Sequence, residues 1–140
     1  MDFEQGMRCE QECARLSHDF AWAVDRGLHD AFIALFIPEG ALERAGEVLR
    51  GPTALRRFLE AMPVNRTMRH LCSNIRIDMT DERHAKGTSA VMMVHALAAT
   101  GTSLPLPAAV PLVAEYEDDY LLTDNGWKFQ YRKTIIVFKP

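Results

Sequence analysis

In the stretch NRTMRHLCSNIRIDM, residues 65 to 79, a histidine stands near the start of what otherwise reads as a β-strand. His70 either fills a core position or moves a proton for a ligand held against the sheet, the task an imidazole performs best near neutral pH. Which of the two applies depends on what reaches it. Cys72 shares its strand face, but residues two apart on a strand stand roughly 6–7 Å apart at the backbone, poor geometry for a thiolate–imidazole pair. Asp25 lies in the last turn of a predicted helix, facing the negative end of the helix dipole at a cost of up to about 1 kcal/mol unless a partner compensates. Its side chain either caps the following helix or holds such a partner. His95, in SAVMMVHALAA, is a second histidine on a second strand. Alternation puts Val91, Met93, His95 and Leu97 on one face and Ala90, Met92, Val94 and Ala96 on the other, and the sequence does not choose the inner one.

Other chemistries find no support. Cys9, Cys13 and Cys72 are odd in number and include no C-x-x-C pair, against both a disulfide framework and a closed zinc site. Cys9 and Cys13 are four apart on a helix with no histidine at ligand spacing, so no metal is expected. There is no phosphate-cradling glycine loop, no G-x-S-x-G elbow and no dinucleotide fingerprint, which leaves cofactor-free chemistry. A formal net charge of -3 supplies no basic field for nucleic acid. The longest apolar run, AFIALFIP, is far short of the roughly 20 residues that span a bilayer. The acidic N-terminus MDFEQGMRCEQE lacks the basic and apolar regions of an export signal, so a cytoplasmic location is expected.

The elements that must position these residues read as one α+β domain over residues 1–140. Cys13, Ala14, Ser17, Phe20, Ala21, Val24 and Leu28 recur at helical intervals, and the helix should end near Arg26 and Gly27, with Asp25 on the rim of the stripe. A second short helix, LHDAFIALF, is predicted to stop at Pro38. Residues 40 to 50 read as two short strands around Ala45 and Gly46. A third helix opens with Pro52 in its first turn and presents Leu55, Phe58, Leu59 and Met62 on one face. Four strands follow, over 67–79, 85–99, 109–122 and 127–138, interrupted by the proline-containing TGTSLPLPAAVPL.

A helix ending AVDRG, a helix opening in LRGPTALRRFL, a strand opening RHL and a closing YEDDYLLTDNGWKFQYRK together resemble the SnoaL-like branch of the nuclear-transport-factor-2-like superfamily, over nearly the whole chain. Within it the pattern is similar to scytalone dehydratases and hexachlorocyclohexane dehydrochlorinases, and GWKFQYRK especially to the latter. The resemblance implies a cone: a strongly curved antiparallel sheet wrapped around the long N-terminal helix, with a pocket at the wide end. It also implies that Asp25 pairs with His70, the histidine abstracting a proton and the aspartate orienting it.

Arg132, in QYRK, matches an arginine that holds the departing anion in the dehydrochlorinase pattern; read alone, it forms an outward ion pair with Glu115 or Glu117. The dehydratase pattern implies a second acid or base at His95. Two positions depart from these patterns. Phe20 replaces the dehydrochlorinase lysine, and Val24 replaces the tyrosine preceding the dehydratase aspartate, so neither activity carries over unchanged. Phe20, Trp22, Met92, Met93 and Tyr116 suggest an apolar pocket for a small cyclic ligand of terpenoid, steroid-like or polyketide-like character. The expected function is a cofactor-independent lyase, of dehydratase or dehydrohalogenase type, or an isomerase. The alternative is a non-catalytic ligand-binding or assembly subunit like the small subunit of ring-hydroxylating dioxygenases. A homodimer or homotrimer is expected, because a curved sheet leaves an outer face to cover.

Overall fold

The computed structural model describes residues 1–99 and 101–140. Helix α1, Phe3–Arg26, starts at a reciprocal cap in which the Asp2 side chain accepts the Gln5 amide and the Gln5 side chain accepts the Asp2 amide. It ends at Gly27, whose φ of 66° is the left-handed conformation glycine adopts without strain. Its buried face carries Cys13, Leu16, Ser17, Phe20, Ala23 and Val24.

Helix α2 is shorter than its apolar sequence suggests, covering only His29–Ile33, and strand β1 then runs Phe36–Arg44 through Pro38. The expected helix to Pro38 is thus replaced at its C-terminal end by strand, with Phe36 and Ile37 buried in the sheet. Pro38 is tolerated there because the pairing of β1 with its neighbour slips between Phe36 and Ala41, so no ladder bond requires its missing N–H. In the same slip, a Cβ on Gly40 would stand 2.9 Å from the Ile37 carbonyl oxygen, which excludes any larger residue. Strand β2, Glu47–Arg50, folds back on β1, and helix α3, Gly51–Glu60, buries Leu55 and Leu59.

Four long strands complete the sheet: β3, Arg66–Met79; β4, His84–Leu97; β5, Leu112–Thr123; and β6, Gly126–Phe138. The order across the sheet is β2-β1-β6-β5-β4-β3. Every neighbouring pair is antiparallel except β1 and β6, which run parallel, a difference from the wholly antiparallel sheet expected. The α+β architecture, a six-stranded curved open sheet carrying a long N-terminal helix, is otherwise the one expected.

Helix α1 packs across β3 and β6. Phe20 anchors it, with ring centroids 4.7 Å from Phe32, 5.7 Å from Tyr116 and 6.1 Å from Phe129. Each such ring contributes roughly 1.5–3 kcal/mol by leaving water, enough to fix the helix on the sheet. Among the described residues no helix is long and apolar enough to cross a membrane. Position 100, the first residue of the proline-containing segment, lies outside the described residues.

Candidate functional site

Where α1 ends, its last carboxylate meets the sheet. Asp25 Oδ2 accepts the backbone N–H of His70 at 2.8 Å, and Oδ1 lies 2.5 Å from His70 Nδ1. The side chains are 4% and 13% exposed, respectively, so water competes little for either bond. An ionised carboxylate only accepts, so the hydrogen of this bond lies on Nδ1, and in the neutral imidazole Nε2 carries the lone pair. The two bonds also answer the dipole problem, since the compensating donors come from β3. Asp25 does not cap α2, whose N-cap is Leu28 with no side-chain bond.

His70 belongs to the wall of a cavity of about 310 Å³. The apolar wall comes from Phe20 and Val24 of α1, Phe58 of α3, Met68 of β3, Met93 of β4 and Tyr116 of β5. Strand register explains this choice of faces. His70 pairs with Met93, Cys72 with Val91 and Met68 with His95, so Val91, Met93 and His95 share the inward face. His95, an expected site residue, is itself exposed towards the end of that face and is not among the residues that line the cavity. Desolvation first, then the charges of Arg66 and His70, hold it below the usual histidine value. Burial pushes the Tyr116 phenol up to about 12, so it stays a neutral hydrogen-bonding wall group.

Three further expected site residues sit elsewhere. Trp22 is 57% exposed, because two residues along a helix turn it about 200° away from Phe20, and its ring carries the Arg26 guanidinium at 3.3 Å. Met92 faces the outer side of the sheet, one residue out of phase with Met93. Arg132 lies behind the wall rather than on it. It is wholly buried, with Nε 2.8 Å and Nη2 3.0 Å from the two oxygens of Asp118 and Nη2 2.6 Å from Ser17 Oγ. The rings of Tyr116, Phe129 and Phe20 cover it at 3.7, 4.4 and 4.6 Å. The outward pair with Glu115 or Glu117 does not form, because Asp118 lies directly opposite Arg132 in the β5–β6 register.

Two residues escaped sequence reasoning. Arg44 and Arg66 both line the cavity. The signal was present in strand alternation: Arg66, Met68 and His70 share one face of β3, and Leu42 and Arg44 share one face of β1.

The model of the SnoaL-like domain matches residues 7–133. The chain belongs to the SnoaL-like domain family. No curated protein shows significant similarity to it. Among solved structures, this SnoaL-like chain is similar to a Novosphingobium aromaticivorans protein provisionally assigned as a scytalone dehydratase, at 20% identity and a TM-score of 0.81 over 98% of this chain and 89% of that one. It is also similar to a hexachlorocyclohexane dehydrochlorinase from Novosphingobium barchaimii, at 15% identity and a TM-score of 0.81 over 98% and 92%. A Mycobacterium tuberculosis protein of unknown function aligns at 23% identity and a TM-score of 0.75 over 92% and 76%. At these identities the likeness establishes the SnoaL-like fold.

Proposed function

We propose that this protein is a cofactor-independent lyase or isomerase in which His70 Nε2 removes a proton from carbon in a small cyclic molecule. The observation that carries the reading is the two-bond clamp of Asp25 on His70 at the wall of a mainly apolar cavity. The clamp fixes the tautomer, prevents ring rotation and stabilises the imidazolium that forms on proton transfer. A cavity of about 310 Å³ is near the lower end for ligand pockets, which suits a molecule of one or two rings. Phe20, Val24, Met68, Met93 and Tyr116 would hold it and exclude water. His95, exposed at the end of the same sheet face, would return a proton to a leaving group at the cavity's edge. Arg132 would act as a positioning residue, holding Phe20 and Tyr116 in place. Neighbours in the fold described as a dehydratase and a dehydrochlorinase are in keeping with elimination.

The test is a screen of cyclic halides and cyclic β-hydroxy ketones for loss of hydrogen halide or water, run with wild type and His70→Gln. Turnover by wild type and none by a folded His70→Gln protein supports the reading. Equal turnover by both refutes it. The second reading, a non-catalytic subunit, draws on an apolar ladder on the outer sheet face, where Leu71 pairs with Met92, Met92 with Val113 and Val113 with Phe138. On that reading His70→Gln leaves assembly intact and no substrate is turned over.

A further inference from the structure

The cavity wall is chemically one-sided. It carries Arg44, Arg66 and His70, and no aspartate or glutamate among the described residues. Arg44 comes from the last residue of β1 and Arg66 from the first of β3, so opposite parts of the sheet deliver two guanidinium groups to one cavity. Among the described residues neither arginine has a carboxylate within ion-pairing distance, although the chain forms such pairs elsewhere, as between Arg56 and Asp30 or Arg132 and Asp118. Arg66 Nε is buried with no hydrogen-bond partner. Arg44 is steadied at the wall by the ring of Phe58, 5.0 Å from its guanidinium carbon. Desolvation, then the charge of Arg44, lowers the pKa of Arg66, a mark of two cations near one another without a counter-charge.

Burying the Arg66 Nε donor without an acceptor is costly, and the like charge of Arg44, an exposed residue at the cavity's edge, adds repulsion. A planar oxyanion resolves both, since it accepts paired N–H bonds from a guanidinium fork and neutralises the charge. We infer that Arg44 and Arg66 form an anion-binding end of the cavity, and that its ligand is an apolar ring bearing a carboxylate. This rests on the reading of the cavity as a ligand site and adds the substrate's charge. The carboxylate docks between the arginines while the ring lies along Phe58, Met68 and Met93. A proton on the ring, or on the carbon beside the carboxylate, then faces His70.

The test is direct binding of two probes of similar shape, 2-naphthoate and 2-naphthylmethanol, by titration calorimetry. Wild type should bind the naphthoate roughly tenfold or more tightly than the alcohol, the discrimination expected of a charge-assisted pair. Added salt should weaken the naphthoate and leave the alcohol unchanged. Arg44→Gln and Arg66→Gln should each remove most of the preference, and Arg66→Lys should restore part of it, a check that does not depend on either glutamine variant folding well. Equal affinity for the two probes, binding of neither, or a preference that survives both glutamine variants overturns the inference. His70→Gln should keep the preference. Selective binding with no proton removed from any substrate would therefore leave the anion site standing and remove the proposed chemistry.

Discussion

Replacing Asp25 by asparagine tests the clamp with the smallest change of shape. The carboxylate accepts two bonds, at 2.8 Å from the His70 amide and at 2.5 Å from Nδ1, in a place where the Asp25 side chain is 4% exposed. An amide offers one oxygen and one NH2. If the oxygen keeps the backbone N–H, the NH2 faces Nδ1, and the imidazole must move its hydrogen to Nε2 to accept from it. One charge-assisted bond is then lost or weakened, worth about 1.5–3 kcal/mol, and the nitrogen facing the ligand is blocked by a proton. The expected result is a fall in the urea midpoint corresponding to that energy at unchanged m-value, together with a change of His70 tautomer in long-range 1H–15N correlation spectra. Proton-transfer activity should fall by roughly 10²–10⁴-fold. An Asp25→Asn protein with the wild-type midpoint and the same His70 tautomer would refute the reasoning, since the carboxylate would then be neither bearing load nor setting the ring.

Other consequences follow from the same geometry. Asp118→Asn removes the carboxylate paired with the fully buried Arg132, so unfolding free energy should fall by about 3–5 kcal/mol; a loss under 1 kcal/mol by denaturant titration would mean that the pair contributes little. Cys13 is wholly buried, and burial pushes its thiol from 9.0 up to about 12, so native protein at pH 8 should take iodoacetamide at Cys9 and Cys72 only, with the third adduct seen by mass spectrometry after unfolding. Because the unfolded thiol ionises first, stability should also fall as the pH rises from about 9 towards 12, and a flat profile there would contradict the shift. Met92, 44% exposed in the outer ladder, is expected to be covered by a second copy of the chain. Sedimentation velocity should show a dimer or trimer that Met92→Glu dissociates, and a wild-type monomer at micromolar concentration would remove that expectation.

What the sequence disclosed, and what it hid, divides along physical lines. Four long strands and two of the three helices are legible because their periodicity extends over many residues, and the Asp124-Asn125 turn closes the last hairpin between the two strands expected there. The strand that begins at Phe36, where LHDAFIALF runs on into Ile37 and Pro38, is not legible because a short apolar run has the same appearance in helix and strand, and its pairing partner lies in β6, more than ninety residues away. The pairing of Asp25 with His70 is legible only through family resemblance, since a separation of forty-five residues gives no local sign that they meet. Arg132 shows the limit of strand alternation. Its inward direction follows from the register, but its partner does not, because Glu115, Glu117 and Asp118 are all nearby in sequence and only pairing across β5 and β6 selects Asp118. Arg44 and Arg66 are not legible as site residues because a terminal arginine on a strand is ordinarily solvated, as Arg44 partly remains, and only the folded sheet brings both to one cavity.

The measurement that tests the central claim most directly is deuterium incorporation from heavy water into the acidic carbon positions of small cyclic acids and ketones, followed by NMR, with wild type, His70→Gln and Asp25→Asn compared at equal folded concentration. Incorporation should occur at one carbon with wild type and fall at least about a hundredfold with His70→Gln, with a comparable loss in Asp25→Asn. Incorporation that continues unchanged in His70→Gln would contradict the central claim, as would the absence of exchange in any compound shown by titration to occupy the cavity.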